Sequence, residues 1–578
     1  MIEQIKKLEE LIKLDPQNLV NYFNLGNIYI KLKKYDLALK IFKKAIAIDK
    51  NFIQGYNNLA NIYKELKNTE EAIKFFKQAI KIDPNYINAI YNLAIIYSET
   101  NSLENAILCY KNILKINPNY IPALNNFGIL LKNINRYDEA LKYFEKIISI
   151  DGNFLRAYNN IGTIAFETGD IKKAIYNYKK ALKLNPDNFI SYKNLLAAYE
   201  NSNQIKSYEE ILKLSKKKFP AEKVLEFYDG IFLFRKKKYI ESINLLKKNN
   251  FGNELEIKRN FFLAKAYDFI KKNELAFKYF NKANDLVVNS FEAKKFNKNN
   301  YLKDLEKKRN YFTKENINKW NSINHKSNDL NPVFLVGFPR SGTTLLDTIL
   351  RSHPKIEVIE EKPMVLKMSK LIKNNNLGSL QNISNVEIKN MKKEYFNELN
   401  INITKFNKSN VYIDKLPLNI INVGEILRVF PNAKFILAIR HPMDCVLSCY
   451  MQDFKLNNAM MNFLNLENSA ILYKKTMELW HQYMSIFNIN YIQIKYEDLI
   501  ENFEKNIKTI IKFLDLNWDK SLLDYRETAI KRGKIATPSY HQVVQPIYKH
   551  ANKRWERYKK YLVNIEPILI DLVKKYKY

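Results

Sequence analysis

The chain repeats itself at a step of 34 residues, and this period constrains its fold more than any other feature. Small or apolar residues recur at Gly26, Ala60, Ala94, Gly128, Gly162, Leu196, Gly230 and Ala264. Twelve positions on, most units carry a second small residue, at Ala38, Ala72, Ala106, Ala140, Ala174, Ser242 and Ala276. Four further on stands an aromatic or leucine, at Phe42, Phe76, Tyr110, Phe144, Tyr178, Leu212, Leu246 and Phe280. Pro16, Pro84, Pro118 and Pro186 keep the same register between units, where a helix must stop. Each unit is therefore predicted to be two amphipathic helices and a turn. The small residues let the pair approach, and the aromatic fills the gap toward the next unit.

This pattern resembles the tetratricopeptide repeat, closely to about residue 190 and with weaker sequence over 190–288, where the unit around Tyr208 lacks its small residue. The first helix, ending at Asp15-Pro16, fits the second half of a unit and is expected to cap the array. Packing does not explain one column: asparagine stands two positions before the small residue six times running, at Asn24, Asn58, Asn92, Asn126, Asn160 and Asn194. In this kind of repeat the first helix of each unit lines a concave groove, so the resemblance implies a ladder of amides along it. An amide offers both donor and acceptor, which suits the backbone of a protein or peptide acceptor. Duplication of one asparagine-bearing unit would give the same column with no binding role.

At 578 residues and 46% hydrophobic content, the chain can bury a core in each of two to four domains. Its formal charge of +34 would ordinarily point to nucleic acid. The lysines are instead spread at solvent-face spacing, and no basic cluster is interleaved with aromatics, so no nucleic-acid partner is expected. Cys109, Cys445 and Cys449 read as reduced thiols, since the last two stand four apart in a predicted helix, where a disulfide would be strained. No uncharged apolar run approaches the roughly 20 residues that a bilayer requires. The expectation is a soluble, cytoplasmic protein with no transmembrane segment.

From Phe291 to Asn331 the period is lost in a stretch crowded with Lys, Asn and Glu, which reads as a charged helix or linker. After Pro332 the texture becomes α/β: VFLVG (333–337), AKFILAIR (433–440) and YIQIKY (491–496) read as buried strands, each followed by a turn and a helix. Repeated strand, turn and helix imply a parallel sheet with ligands at the carboxyl ends of its strands. Between the first strand and its helix runs Gly337-Phe338-Pro339-Arg340-Ser341-Gly342-Thr343-Thr344, which has the Gly-x4-Gly frame of a phosphate loop. The lysine of a nucleoside triphosphatase is replaced by Thr343, and the positive charge comes from Arg340 within the loop. This disfavours a nucleotide kinase.

PRSGTTLLDTILRSHPKIEVIEE (339–361) resembles the 5′-phosphosulfate loop of sulfotransferases, and its spacing to the glutamate pair is similar to that of the tyrosylprotein sulfotransferases. IRHPMDCVLS (439–448) resembles that family's 3′-phosphate site, and DKLP (414–417), KYEDL (495–499) and PSYHQVVQPIYKHANKRW (538–555) follow in the family's order. The resemblance implies that Arg340, Ser341, Gly342, Thr343 and Thr344 hold the 5′-phosphosulfate of 3′-phosphoadenosine 5′-phosphosulfate (PAPS). It further implies that Arg440 and Ser448 bind the 3′-phosphate, with Tyr496 and Arg554 completing the nucleotide site. Glu361 matches the general base, and Lys415 and Ser539 match groups that stabilise charge on the bridging oxygen and the sulfuryl group. The chain departs from the family at Gln452, where a second arginine is usual, and at Arg554, where the family has lysine.

Sulfuryl transfer needs a base for the acceptor hydroxyl, donors for the equatorial oxygens and positive charge at the leaving phosphate. A glutamate, a lysine and a cationic loop supply all three. No His/Cys/Asp cluster has metal-ligand spacing, so no metal is expected, and His353, His441 and His541 beside the motifs are given no catalytic role. The resulting organisation is an α-helical tetratricopeptide-repeat (TPR) solenoid over 1–290 and a charged helix or linker over 291–330. An α/β, P-loop-like sulfotransferase domain with a central parallel sheet follows over 331–578. A protein tyrosine acceptor leads. A carbohydrate, lipid or small-metabolite acceptor, and a repeat scaffold whose second domain binds nucleotide without turnover, are the alternatives.

Overall fold

The computed structural model describes residues 2–248, 251, 253–323, 331–403, 406–532 and 552–578. It divides into two compact units at Ala198 and Tyr199, within helix Phe189–Asn201. In the first unit a leading helix, Ile2–Leu14, is followed by pairs such as Leu19–Lys31 with Tyr35–Ile48 and Ile121–Asn133 with Tyr137–Ile150.

Backbone geometry repeats with the sequence. A left-handed residue ends the first helix of each pair at Lys33, Lys67, Asn101, Asn135 and Gly169, and the same step continues in the second unit at Asn203, Lys237 and Lys271. The residue after it closes a six-to-one bond, as from Lys34 N–H to Tyr29 O at 2.9 Å and from Arg136 N–H to Leu131 O at 2.8 Å. Glycine, the usual occupant, stands at Gly169 alone of these, so sequence gives little sign of the turn.

The small columns are where helices touch. Ala38, Ala72, Ala106, Ala140 and Ala174 are fully buried. A Cβ at Gly128 would lie 2.7 Å from Phe144 Cζ, and one at Gly162 would lie 2.6 Å from Tyr178 Cε1. Each ring thus sits on the small residue of its own pair, and Tyr110 also stacks on Phe127 of the following pair at 5.6 Å.

In the second unit five strands form one parallel sheet: β1 Val333–Gly337, β2 Ile356–Glu360, β3 Val411–Lys415, β4 Lys434–Ile439 and β5 Asn490–Lys495, in the order β2-β3-β1-β4-β5. Strands β1, β4 and β5 are those expected. Strands β2 and β3 escape the sequence reading because each carries acidic residues in an otherwise apolar run. One face packs Leu335, Ile413, Ile436 and Ile494 against helices Thr343–Leu350 and Phe503–Phe513. The other stacks Phe334 on Phe435 at 5.4 Å beside Tyr395.

The charged stretch before the sheet forms helix Lys298–Tyr311, with Leu305 buried and Lys308 in a buried ion pair with Glu425. Phe312, at its end, fills the place a side chain on Gly424 would take.

Truncating Phe144 leaves a ring-sized void that two packed helices cannot close, so Phe144→Ala should destabilise the array by about 3–5 kcal/mol in urea unfolding. A second expectation concerns Asp414, buried in β3 with Tyr395 OH at 3.3 Å and Asn419 Nδ2 at 3.4 Å. Burial pushes its carboxyl from 3.8 up to about 8. Below the unfolded value both states carry the proton. Between there and about 8 the folded chain keeps it and the unfolded chain releases it, so this group's contribution to stability falls as pH rises. Asp414→Asn removes that loss, and the melting temperature of the variant relative to wild type should climb steadily from pH 5 to pH 8.

Candidate active site

Each of the five strands delivers a predicted site residue at its carboxyl end, and the parallel register brings those ends to one edge. Gly337 pairs with Ala438 and Leu335 with Lys415, while Glu360 lies opposite Lys415 on the other side. The connections from β1 and β4 diverge to opposite sides of the sheet, so a crevice opens between them.

The loop after β1 is shaped by backbone constraints. A Cβ at Gly337 would lie 2.4 Å from the carbonyl oxygen of Ala438, an atom fixed in β4, so glycine is required there. Arg340 is left-handed (φ 71°), and Gly342 (φ 103°) turns the chain into helix Thr343–Leu350. Among the described residues no side chain caps that helix. The Ser341 hydroxyl, in a residue 2% exposed, has no hydrogen-bond partner among the described residues. An uncapped helix start beside a buried, unsatisfied hydroxyl is a place for an anion. Cys449 supports the loop from below, its thiol donating to Pro339 O at 3.3 Å, and burial keeps that thiol protonated.

Around the loop stand the expected cations. Arg340 Nε donates to Ser448 Oγ at 3.0 Å, and Ser448 lies on helix Pro442–Tyr450 after β4. The Arg440 guanidinium lies 5.0 Å over the Tyr496 ring, with Nη2 3.6 Å from Asp444 Oδ2 and Nη1 3.5 Å from Arg340 O. Tyr496 also closes on Gly342, where a Cβ would lie 2.8 Å from its Cδ2. Arg340, Gly342, Arg440, Ser448 and Tyr496 thus form one cluster. Arg554 Nη2 is 3.0 Å from Asp268 Oδ2, a carboxylate that the sequence reading missed.

At the ends of β2 and β3 an ammonium meets two carboxylates. Lys415, 0% exposed, donates to Glu361 Oε1 at 3.0 Å and to Glu360 Oε1 at 3.3 Å. Burial opposes its charge, but Glu360, Glu361 and Asp347 outweigh burial and hold it charged. Glu361 is left-handed (φ 52°), its N–H donates to Lys415 O at 2.8 Å, and its side chain remains 33% exposed. Two non-glycine left-handed residues, Arg340 and Glu361, therefore sit at the site, where such conformations concentrate.

Of the histidines beside the motifs, His353 and His441 are described and pack within the fold. His353 engages Asn517 O at 2.9 Å and Lys355 N–H at 3.1 Å through its two ring nitrogens. His441 stacks on Trp555, and burial pushes it down to about 4. Ser539 and His541 lie outside the described residues. In the asparagine column, Asn58 donates to Asn27 Oδ1 at 3.1 Å, Asn126 donates to Tyr91 OH at 2.8 Å, and Asn160 accepts from Lys132 Nζ at 3.2 Å. Each of these bonds joins adjacent repeat pairs, a role that packing reasoning had not given them. Asn24, Asn92 and Asn194 are exposed or half-buried in the same column. Among the described residues no helix is long and apolar enough to cross a membrane.

Residues 332–520 match the sulfotransferase family, and tetratricopeptide repeats match at 22–52, 53–86, 75–107, 109–142 and 155–188. An uncharacterized protein of Aquifex aeolicus is 29% identical across 54% of this chain and 41% of its own length. Protein-tyrosine sulfotransferase 1 of Danio rerio is 24% identical across 39% of this chain and 66% of its own. The chain thus spans less than two thirds of the length of either relative. Among solved structures, the TPR protein YrrB is 22% identical, with a TM-score of 0.29, over 32% of this chain and 95% of that one. The chain therefore joins tetratricopeptide repeats in its N-terminal part to a C-terminal domain of the sulfotransferase family.

Proposed function

We propose that the chain is a sulfotransferase that moves a sulfuryl group from PAPS to a protein tyrosine. The observation that carries this reading is the convergence, at one sheet edge, of an anion loop, two arginines and a glutamate–lysine pair. The residues fit the donor: an unsatisfied Ser341 hydroxyl, an uncapped helix start and the Arg340 and Arg440 guanidinia are suited to a nucleotide with phosphates at two positions. Arg340, Ser341, Gly342, Thr343 and Thr344 would hold the 5′-phosphosulfate, and Arg440 and Ser448 the 3′-phosphate, with Tyr496 and Arg554 beside them. When bound, the donor supplies the sulfuryl group and a phosphate leaving group.

Glu361 would take the acceptor's hydroxyl proton on its carboxylate, which stays open to solvent while Lys415 fixes its position. Lys415 would then neutralise charge at the bridging oxygen, and Ser539 would assist at the sulfuryl group. The tyrosine acceptor is supported by the Danio rerio relative, and acceptor capture by the repeats through the groove side of the asparagine column. Cytoplasmic residence is supported by the three free thiols, Cys109, Cys445 and Cys449.

Two measurements test the site. Wild type should bind 3′-phosphoadenosine 5′-phosphate in preference to AMP, and Arg440→Ala should lose about 1.5–3 kcal/mol of that preference, tenfold or more in affinity. Equal binding of the two nucleotides by wild type in calorimetry overturns the donor assignment. Glu361→Gln keeps shape but removes the basic oxygen, so kcat should fall by about 10²–10⁴ while donor affinity persists. Near wild-type turnover by that variant would transfer the role to Glu360.

A further inference from the structure

The last repeat pair, helices Asn253–Phe269 and Asn273–Val288, belongs to the same compact unit as the sheet. Near the end of its first helix Asp268 is 5% exposed, and its carboxylate gathers three groups from one short segment. Arg554 Nη2 is 3.0 Å from Oδ2, Arg557 Nη2 is 3.0 Å from Oδ1, and Tyr558 OH donates to Oδ1 at 2.7 Å. Arg557 reaches further along the same pair, to Asn273 Oδ1 at 3.2 Å. From this clasp the segment runs inward to the site. The Trp555 N–H donates to Asp444 Oδ1 at 2.8 Å, and the other oxygen of Asp444 is the one that faces Arg440.

We propose that Asp268 is a positioning residue for the donor site: a carboxylate of the repeat array that fixes Arg554 directly and Arg440 through Trp555 and Asp444. The proposal rests on the reading of Arg440 as a 3′-phosphate contact. A buried carboxylate shared by two guanidinia and a phenol has little freedom to move, and its charge-assisted bonds are the strong kind. Neutralising it leaves two half-buried cations without the anion they share, which frees the 554–558 segment from the helix that anchors it. Trp555 then no longer holds Asp444 in place, and Arg440 loses the orientation that Asp444 gives it. On this view the donor site is built partly by the repeats, and the last pair is a component of the transferase rather than a spacer before it.

The test uses the full chain and two probes, 3′-phosphoadenosine 5′-phosphate and AMP, titrated by calorimetry into wild type, Asp268→Asn and Tyr558→Phe. The expected result for Asp268→Asn is a fall of about tenfold in preference for the bisphosphate, the size of one charge-assisted contact. Tyr558→Phe removes one bond and leaves every charge, and should lower the preference severalfold in the same direction. A purely structural role would reduce the binding-competent fraction and leave the preference of that fraction unchanged, which would overturn the proposal. Should Asp268→Asn fail to fold, an unchanged preference in Tyr558→Phe overturns it equally. Absence of any preference in wild type is a different outcome, since it removes the donor reading before the variants are compared.

Discussion

Parallel strands bonded in register must end at one edge, and in this protein the described residues predicted for the transferase site, Arg554 apart, gather there. β1 carries the loop, β2 leads into Glu361, β3 ends on Lys415, and β4 and β5 lead into Arg440 and Tyr496. The pairing of Leu335 with Lys415 and of Gly337 with Ala438 sets how far apart these groups stand, because backbone hydrogen bonds leave strands no freedom to slide. A shift of one residue in β3 would turn Lys415 to the opposite face and leave its charge buried without Glu360 or Glu361.

The buried cations follow a common rule. Lys415 lies between Glu360 and Glu361, Arg440 faces Asp444, and the half-buried Arg554 likewise meets Asp268. A guanidinium or ammonium taken out of water needs a partner carboxylate, and that partner also limits its rotamers. The same pairing that makes burial tolerable therefore aims the charges before any ligand arrives, which is the preorganisation that electrostatic catalysis depends on. The +34 excess of the whole chain has little part in this, since the site depends on a few locked cations.

The repeats use a different economy of shape. A left-handed residue every 34 positions reverses the chain, and a small residue under a ring sets the distance between paired helices. The asparagines add bonds between successive pairs at Asn58, Asn126 and Asn160. Part of a column that reads as a binding ladder thus also ties the array together, and the amides of Asn24, Asn92 and Asn194 are those the groove reading leans on most.

Sequence alone determined the period, the paired helices, the phosphate loop and three of the five strands, because these depend on spacing along the chain and on residue types that recur at fixed steps. It did not mark the turns at Lys33, Lys67, Lys237 and Lys271, since lysine carries no conformational signature for a left-handed turn. Strands β2 and β3 were hidden by acidic residues whose burial makes sense only beside Lys415, Tyr395 and Asn419. The clasp of Asp268 on Arg554, Arg557 and Tyr558 joins positions nearly 290 apart, and no local pattern announces it. Only the tertiary structure decides such contacts, because the energy that selects them comes from removing charges from water together, and which charges are removed together depends on how the whole chain packs.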